Sequence, residues 1–253
     1  MSAKADWRAP RERSIWIGFD PREAAAFAVA RETCQFSVNG SCRTYGVVLD
    51  DLRRLGLYTR PTERRDGRLW DVISEAPMAT EFAISRFLVP YLAGSGWALF
   101  MDCDMLVTGD VAEFDGYASM FNHYGRAVRV VKHEYVPKGE RKFLGQAQTQ
   151  YGRKNWSSVM LFNCAHAACR KLTLEYVENA PGLELHQFKW CDDLDIGALP
   201  EGWNYLVGEQ NQCERDQIRN LHYTQGTPCF PEYASCEFAE VWHREREKML
   251  AAG

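Results

Sequence analysis

Trp97-Ala-Leu-Phe-Met-Asp102-Cys-Asp104-Met-Leu-Val107 is an apolar run that ends in two carboxylates one residue apart and then turns apolar again. Successive side chains of a strand point to opposite faces, so Asp102 and Asp104 project the same way. The run before them has the composition of a strand buried on both faces. Two carboxylates at the end of such a strand suit a hard divalent cation held against a phosphate. The other reading is a strand-ending turn with solvated acids. A second copy of the spacing, Asp193-Leu194-Asp195, shows that the tripeptide alone decides nothing; the flanking sequence has to.

Upstream, Ser14 to Gly18 reads as a first strand. Asp20-Pro21-Arg22-Glu23 follows as a helix start, with Asp as cap, Pro in the first turn and Glu three residues on. The helix runs to about Cys34. Arg43 to Leu49 is a second strand, and Pro61 to Trp70 is a charged loop without periodicity. Thr80 to Leu92 carries Ile84, Phe87, Leu88, Tyr91 and Leu92 at the spacing of one helix face. Downstream, Ala127 to Val131 and Val159 to Phe162 are β-prone runs, His166 to Val177 is a helix, Leu221 to Thr224 a short strand, and Glu237 to Leu250 a terminal amphipathic helix. Strand and helix alternate in the first half, which implies an α/β fold with a Rossmann-like, mainly parallel central sheet flanked by helices. Ligands of such sheets sit beyond the carboxyl ends of the strands, where Asp102 and Asp104 fall. No repeat or linker divides the chain. The expected organisation is a flexible stretch 1–13 and a single domain 14–253, with a nucleotide-binding half 14–107 and an acceptor-side half 108–253.

Composition narrows the partners. The 253 residues are 46% hydrophobic and 25% charged, as in a globular domain with a sizeable core. A net charge of -4 argues against nucleic acid, because there is no basic excess to displace counterions. The Arg-rich patches, Arg8 to Arg13 and Arg60 to Arg68, read as solvated loops. The polar start has no apolar leader core. The best apolar stretch, Phe82 to Met101, is broken by Arg86, Pro90 and Gly94 before it reaches the ~18 residues of a membrane span. The nine Cys are odd in number and contain no Cys-x-x-Cys; they read as reduced core thiols, with no disulfide framework or zinc site. A cytoplasmic location is therefore expected. The oligomeric state is not encoded in any of these features.

The order of motifs is more specific than any one of them: Ile17-Gly-Phe19-Asp20, Ser85-Arg86-Phe-Leu-Val-Pro-Tyr91, Leu99-Phe-Met-Asp102-Cys-Asp104, Val159-Met-Leu-Phe-Asn163, Asp193-Leu-Asp195-Ile196, Leu199-Pro-x-x-Trp203-Asn204 and His222-Tyr-Thr-Gln-Gly226-Thr-Pro228. Over residues 14 to 230 this series resembles the GT-A-fold glycosyltransferases of the family 8 type. The resemblance implies a nucleotide-sugar-dependent transferase that moves a sugar, from a UDP-sugar, to a hydroxyl acceptor with retention of configuration. In that family the Asp-x-Asp carboxylates and the His of a C-terminal His-x-x-Gly motif bind Mn²⁺; the matching positions here are Asp102, Asp104 and His222. A mixed carboxylate and imidazole set suits Mn²⁺ better than Mg²⁺. The resemblance also places Phe19, Asp20, Arg86, Asp102, Cys103, Ser157, Ser158 and Gly226 around the donor. Asp20 reads equally well as a plain helix cap. The alternative for Arg86 is a helix residue paired with a surface acid, but it interrupts an apolar face close to the Asp-x-Asp strand, where a donor to sugar or phosphate oxygens is useful.

Breaking a glycosyl-phosphate bond develops negative charge on the diphosphate and positive charge on the sugar. A metal answers the first. A carboxylate near the anomeric carbon answers the second, by analogy with glycosidases; Asp193 is the candidate, with Asp192 behind it, and a helix N-terminus is the alternative use of these acids. Three departures from the family reshape the donor pocket. Asn-Ala-Gly is replaced by Trp156-Ser157-Ser158, Asp-Gln-Asp by Asp193-Leu194-Asp195, and Lys-Pro-Trp by Thr227-Pro228-Cys229. The competing classes are a sugar-phosphate nucleotidyltransferase and a non-catalytic carbohydrate-binding module. The former is disfavoured because Gly18-Phe-Asp-Pro-Arg-Glu lacks the glycine repeats that let a backbone approach phosphates.

Overall fold

The computed structural model describes residues 13–37, 42–133, 141–142, 146–147, 153–209 and 211–252. The flexible stretch expected at the N-terminus lies outside them, apart from Arg13, which opens the first strand.

The strands are β1 (Arg13–Gly18), β2 (Arg43–Val47), β3 (Thr62–Arg65), β4 (Arg68–Asp71), β5 (Ala76–Pro77), β6 (Trp97–Met101), β7 (Met105–Val107), β8 (Val128–Val130), β9 (Arg141–Lys142), β10 (Gln146–Ala147), β11 (Val159–Asn163), β12 (Ile196–Ala198), β13 (Tyr205–Leu206) and β14 (Asn220–His222). The helices are α1 (Ala24–Ser37), α2 (Leu49–Arg54), α3 (Val89–Ala93), α4 (Glu113–Tyr124), α5 (Ala167–Arg170), α6 (Leu174–Asn179), α7 (Gly182–His186) and α8 (Ala239–Ala252). Among the described residues no helix is long and apolar enough to cross a membrane.

The central sheet has six strands in the order β12-β8-β11-β6-β1-β2. β1 is parallel to β2 and β6, and β12 to β8, while β11 is antiparallel to both its neighbours. Five strands thus share one direction and β11 alone is reversed, in accord with the mainly parallel sheet expected from the alternation of elements. The inner strands bury both faces: Ile15, Ile17, Ala98 and Phe100 are fully enclosed, and so are Met160 to Phe162. That explains why β6 and β11 read as continuous apolar runs. A smaller sheet, β13-β14-β7, stands beside it. Its own cluster of Leu106, Tyr205, Leu221 and Tyr223 receives Trp242 of α8 and Val29 of α1.

Local rules account for most element boundaries. Asp20 caps the turn Pro21–Glu23 by accepting from Arg22 N, and α1 follows at once. The second strand stops at Val47, short of the expected Leu49, because Leu49 opens α2. Pro61 to Trp70 is a hairpin and not a loop: β3 and β4 pair antiparallel across Asp66-Gly67, whose φ values of 50° and 76° are those of a two-residue hairpin turn. The helix expected over Thr80 to Leu92 is a series of turns, a 3-10 segment Ser85–Leu88, and then α3. Pro90 has no N–H to continue a helix through it and instead starts a new one in its first turn. The helix expected over His166 to Val177 is likewise divided, since Thr173 caps α6 by accepting from Tyr176 N.

The β3–β4 hairpin is anchored by a buried ion pair. Arg60 meets Asp71 through both carboxylate oxygens, at 2.6 and 2.5 Å. Its remaining N–H groups donate to the carbonyls of Val177 and Glu178 in the last turn of α6, to that of Ala180 just after it, and to Ser74 Oγ. Burial alone would raise the Asp71 carboxyl, but the bonds from Arg60 outweigh it and hold Asp71 below the ordinary carboxylate range.

Candidate metal centre

Sheet register fixes where the chemistry sits. Phe100, Met160, Val130 and Ala198 stand level across β6, β11, β8 and β12. Asp102 lies two residues beyond that level, at the carboxyl edge, where its N–H extends the pairing to the Ser158 carbonyl at 3.1 Å. The chain then bends and re-enters as β7. This strand pairs antiparallel with β14, Met105 opposite His222, and Tyr223 N donates to the Asp104 carbonyl at 2.9 Å. That ladder delivers His222 from the far end of the chain to the Asp-x-Asp bend.

One ligand atom each from Asp102, Asp104 and His222 falls within 4.8 Å of the others. His222 Nε2 is 3.3 Å from Asp104 Oδ1. Both Asp102 Oδ1 and Asp104 Oδ1 are buried and, among the described residues, neither accepts a hydrogen bond. Such atoms are costly unless something completes them, and two carboxylate oxygens beside an imidazole nitrogen fit a divalent cation. The solvated acidic turn is thereby excluded, since Asp102 is only 9% exposed and His222 is buried. Burial pushes the Asp102 carboxyl up to about 6; Arg86 opposes this and the Asp104 charge adds to it.

Arg86 does not pair with a surface acid. It is buried between the rings of Phe82 and Phe100, each 5.1 Å from its Cζ, with Nη1 2.8 Å from Asp102 Oδ1 but out of line for a hydrogen bond. Nη1 donates instead to the Ser157 carbonyl at 2.9 Å. Ser157 Oγ lies 2.8 Å from His186 Nδ1, and burial, then the Arg86 charge, push His186 down to about 3, so that it stays neutral. Arg86, Ser157 and Ser158 therefore share the edge with the acidic pair.

The other expected donor residues divide. Asp20 is fully buried and fully used: it accepts from Arg22 N, Nε and Nη2 and from Glu81 N, so it is the helix cap of the two readings. Phe19 stands edge-on to Phe27. Cys103 turns its thiol away from the acids, into the core, where it donates to Glu23 Oε2 at 3.6 Å. Gly226 comes after three residues from His222, one more than the His-x-x-Gly spacing. Its φ of 150° and a Cβ that would fall 2.2 Å from the Tyr233 ring explain the glycine.

Asp192 and Asp193 are not part of the Asp102, Asp104 and His222 cluster. Their backbone leads into β12 two residues before the common level, three strands from β6, while the side chain of Asp193 is bound by Arg153, whose Cζ lies 5.4 Å from the Trp156 ring beside Ser157. Asp193 is 81% exposed.

Two residues at the edge were missed from sequence. Glu23, read only as a helix-start acid, is 2% exposed. Its carboxyl is raised well above the ordinary range by burial, with the Asp104 and Asp20 charges adding. Asn204, seen only as a motif letter, is wholly buried with its Oδ1 2.7 Å from His222 Nδ1.

No protein-family model matches the chain. Protein CDI of Arabidopsis thaliana is 37% identical to it over 238 residues, which span 92% of this chain and 86% of that protein. The chain belongs to the family of Protein CDI. Among solved structures, this CDI-family chain is similar to the apo structure of the WbbM bifunctional glycosyltransferase, with a TM-score of 0.54 and 15% identity over 97% of the chain. GlyE of Streptococcus pneumoniae TIGR4, a glycosyltransferase, matches with a TM-score of 0.54 and 14% identity over 93%. The CDI-family chain spans 50% of the WbbM chain and 60% of the GlyE chain. At these identities the likeness establishes the fold, which is the α/β fold of GT-A glycosyltransferases.

Proposed function

We propose that the chain is a nucleotide-sugar-dependent glycosyltransferase of the family 8 type, with Mn²⁺ at Asp102, Asp104 and His222, a UDP-sugar as donor and a hydroxyl group as acceptor. The observation that carries this is the pair of buried carboxylate oxygens without donors, facing an imidazole nitrogen at the carboxyl edge of a GT-A sheet. Mn²⁺ bound there supplies a Lewis acid for the charge that develops on the leaving diphosphate. Arg86 adds a fixed positive charge held rigid by two rings and the Ser157 carbonyl, which costs no reorganisation when the phosphate charge grows. Ser157 and Ser158 form the neighbouring wall, with the Ser157 hydroxyl oriented by His186. Asp192 and Asp193 have no step in this scheme. Retention of configuration follows from the family 8 resemblance. The nine free cysteines suit a reducing, cytoplasmic setting.

The test is a hydrolysis screen of UDP- and GDP-sugars with and without Mn²⁺, since transferases of this type cleave their donor slowly when no acceptor is present. Release of UDP that requires Mn²⁺ and is abolished in Asp104→Asn supports the assignment; full activity of that variant would sink the metal's role. An inverted anomer in the NMR spectrum of the product would remove retention. Metal-dependent UDP binding in calorimetry, with no turnover of any sugar, would turn the reading into a binding module.

A further inference from the structure

The two ends of the Asn204 amide can be told apart by their partners. Nδ2 donates to the Asn155 carbonyl at 3.2 Å. A carbonyl only accepts, so turning the amide over would set two oxygens against each other. Oδ1 is therefore the atom that faces His222 Nδ1 at 2.7 Å. An amide oxygen also only accepts, so Nδ1 must carry the ring hydrogen. A neutral imidazole has one N–H, which leaves a lone pair on Nε2. That nitrogen faces Asp104 Oδ1 at 3.3 Å, and the oxygen accepts no hydrogen bond among the described residues. Two acceptors thus stand face to face, an arrangement that a cation relieves and that a hydrogen on Nε2 would close.

We propose that Asn204 is a positioning residue that selects the tautomer of His222 able to bind a metal. The inference rests on the metal reading above and adds to it the device that keeps the site open. Without the Asn204 oxygen, His222 is free to move its hydrogen to Nε2 and donate to Asp104 Oδ1. The third ligand and the second carboxylate would then satisfy each other. Asn204 is itself held on its far side by Asn155, whose φ of 62° shapes the turn that leads into Trp156–Ser158. The tautomer is therefore set from the same segment that supplies Ser157 and Ser158.

Nuclear magnetic resonance of histidine ring ¹⁵N and ¹³C shifts in the metal-free protein near neutral pH reads the tautomer directly. The Nδ1–H form at His222 is expected in the wild type; the Nε2–H form would overturn the proposal without any variant being made. Mn²⁺ affinity, read from the free-ion signal in electron paramagnetic resonance, should fall about 10- to 100-fold in Asn204→Ala, with the ring hydrogen moving to Nε2. Asn204→Asp keeps an acceptor toward Nδ1 and should retain the Nδ1–H form and bind Mn²⁺ more tightly than Asn204→Ala, while its second oxygen, set against the Asn155 carbonyl, lowers the melting temperature. Wild-type affinity in Asn204→Ala would overturn the proposal. A wild-type protein that binds no Mn²⁺ would refute the metal reading, while its His222 tautomer would still decide the role of Asn204.

Discussion

Two buried ionic groups in this protein are built on opposite plans. Arg60 and Asp71 complete each other: both carboxylate oxygens are matched, and the other guanidinium N–H groups reach three carbonyls and a hydroxyl. Asp102, Asp104 and His222 are also largely enclosed, though less completely, yet two of their oxygens accept no hydrogen bond among the described residues. The first group is finished by the chain and serves the fold. The second has Arg86 beside Asp102 but leaves carboxylate oxygens without hydrogen bonds, and marks the candidate site. Burial of charge is common to both; what separates them is whether the polar atoms are used up.

The sharpest way to break this contrast is to remove one partner from each group. Arg60→Ala strands Asp71 in a dry interior and should cost about 3–5 kcal/mol in urea denaturation, with no change in Mn²⁺ affinity. Asp104→Asn should lower metal-dependent donor cleavage on the order of 10³-fold, about 4 kcal/mol, while the metal-free protein melts no earlier than wild type. Parallel losses of stability in both variants would erase the distinction.

Acidity acts on the two groups with opposite sign. Asp102 is raised to about 6, so protonation begins as the pH falls through 6. The metal-free fold gains from it, whereas Mn²⁺ must compete with the proton. Affinity for Mn²⁺ should therefore drop roughly tenfold per pH unit below about 6, measurable by calorimetry. Asp71 is held low, so its contribution is intact above the ordinary carboxylate range and is lost only as the pH falls further, through the folded-state value. A smaller effect is expected from Gly226→Ala, about 1–3 kcal/mol from the strained φ and the Tyr233 contact. The smallest is Ser157→Ala, about 1 kcal/mol for the bond to His186, read by thermal denaturation together with the KM for donor.

The acidic pair was legible because its strand is buried on both faces, and a continuous apolar run ending in two acids has few other readings. His222 was legible through motif order. Asp66-Gly67 carried a hairpin signal that the surrounding charge obscured. Pro90 and Thr173 cut helices whose apolar spacing ran straight past them, because periodicity is blind to a missing N–H or a competing cap. The Arg153 partner of Asp193 was not legible, because sequence order gives neighbours along the chain and these two residues are 40 apart. Asn204 and Glu23 carry no local signal, since their roles depend on partners far away in sequence.

The β7–β14 ladder has a further consequence for how the site comes into being. Two of its three ligands belong to the first half of the chain, and the third arrives only when Asn220 to His222 zips onto Met105 to Val107. During synthesis β1, β2 and β6 can pair while Asp102 and Asp104 still lack their histidine. The centre thus closes late, as a clasp between the two halves of the chain, and a polypeptide stopped before residue 220 would keep the acidic bend without acquiring the three-ligand centre.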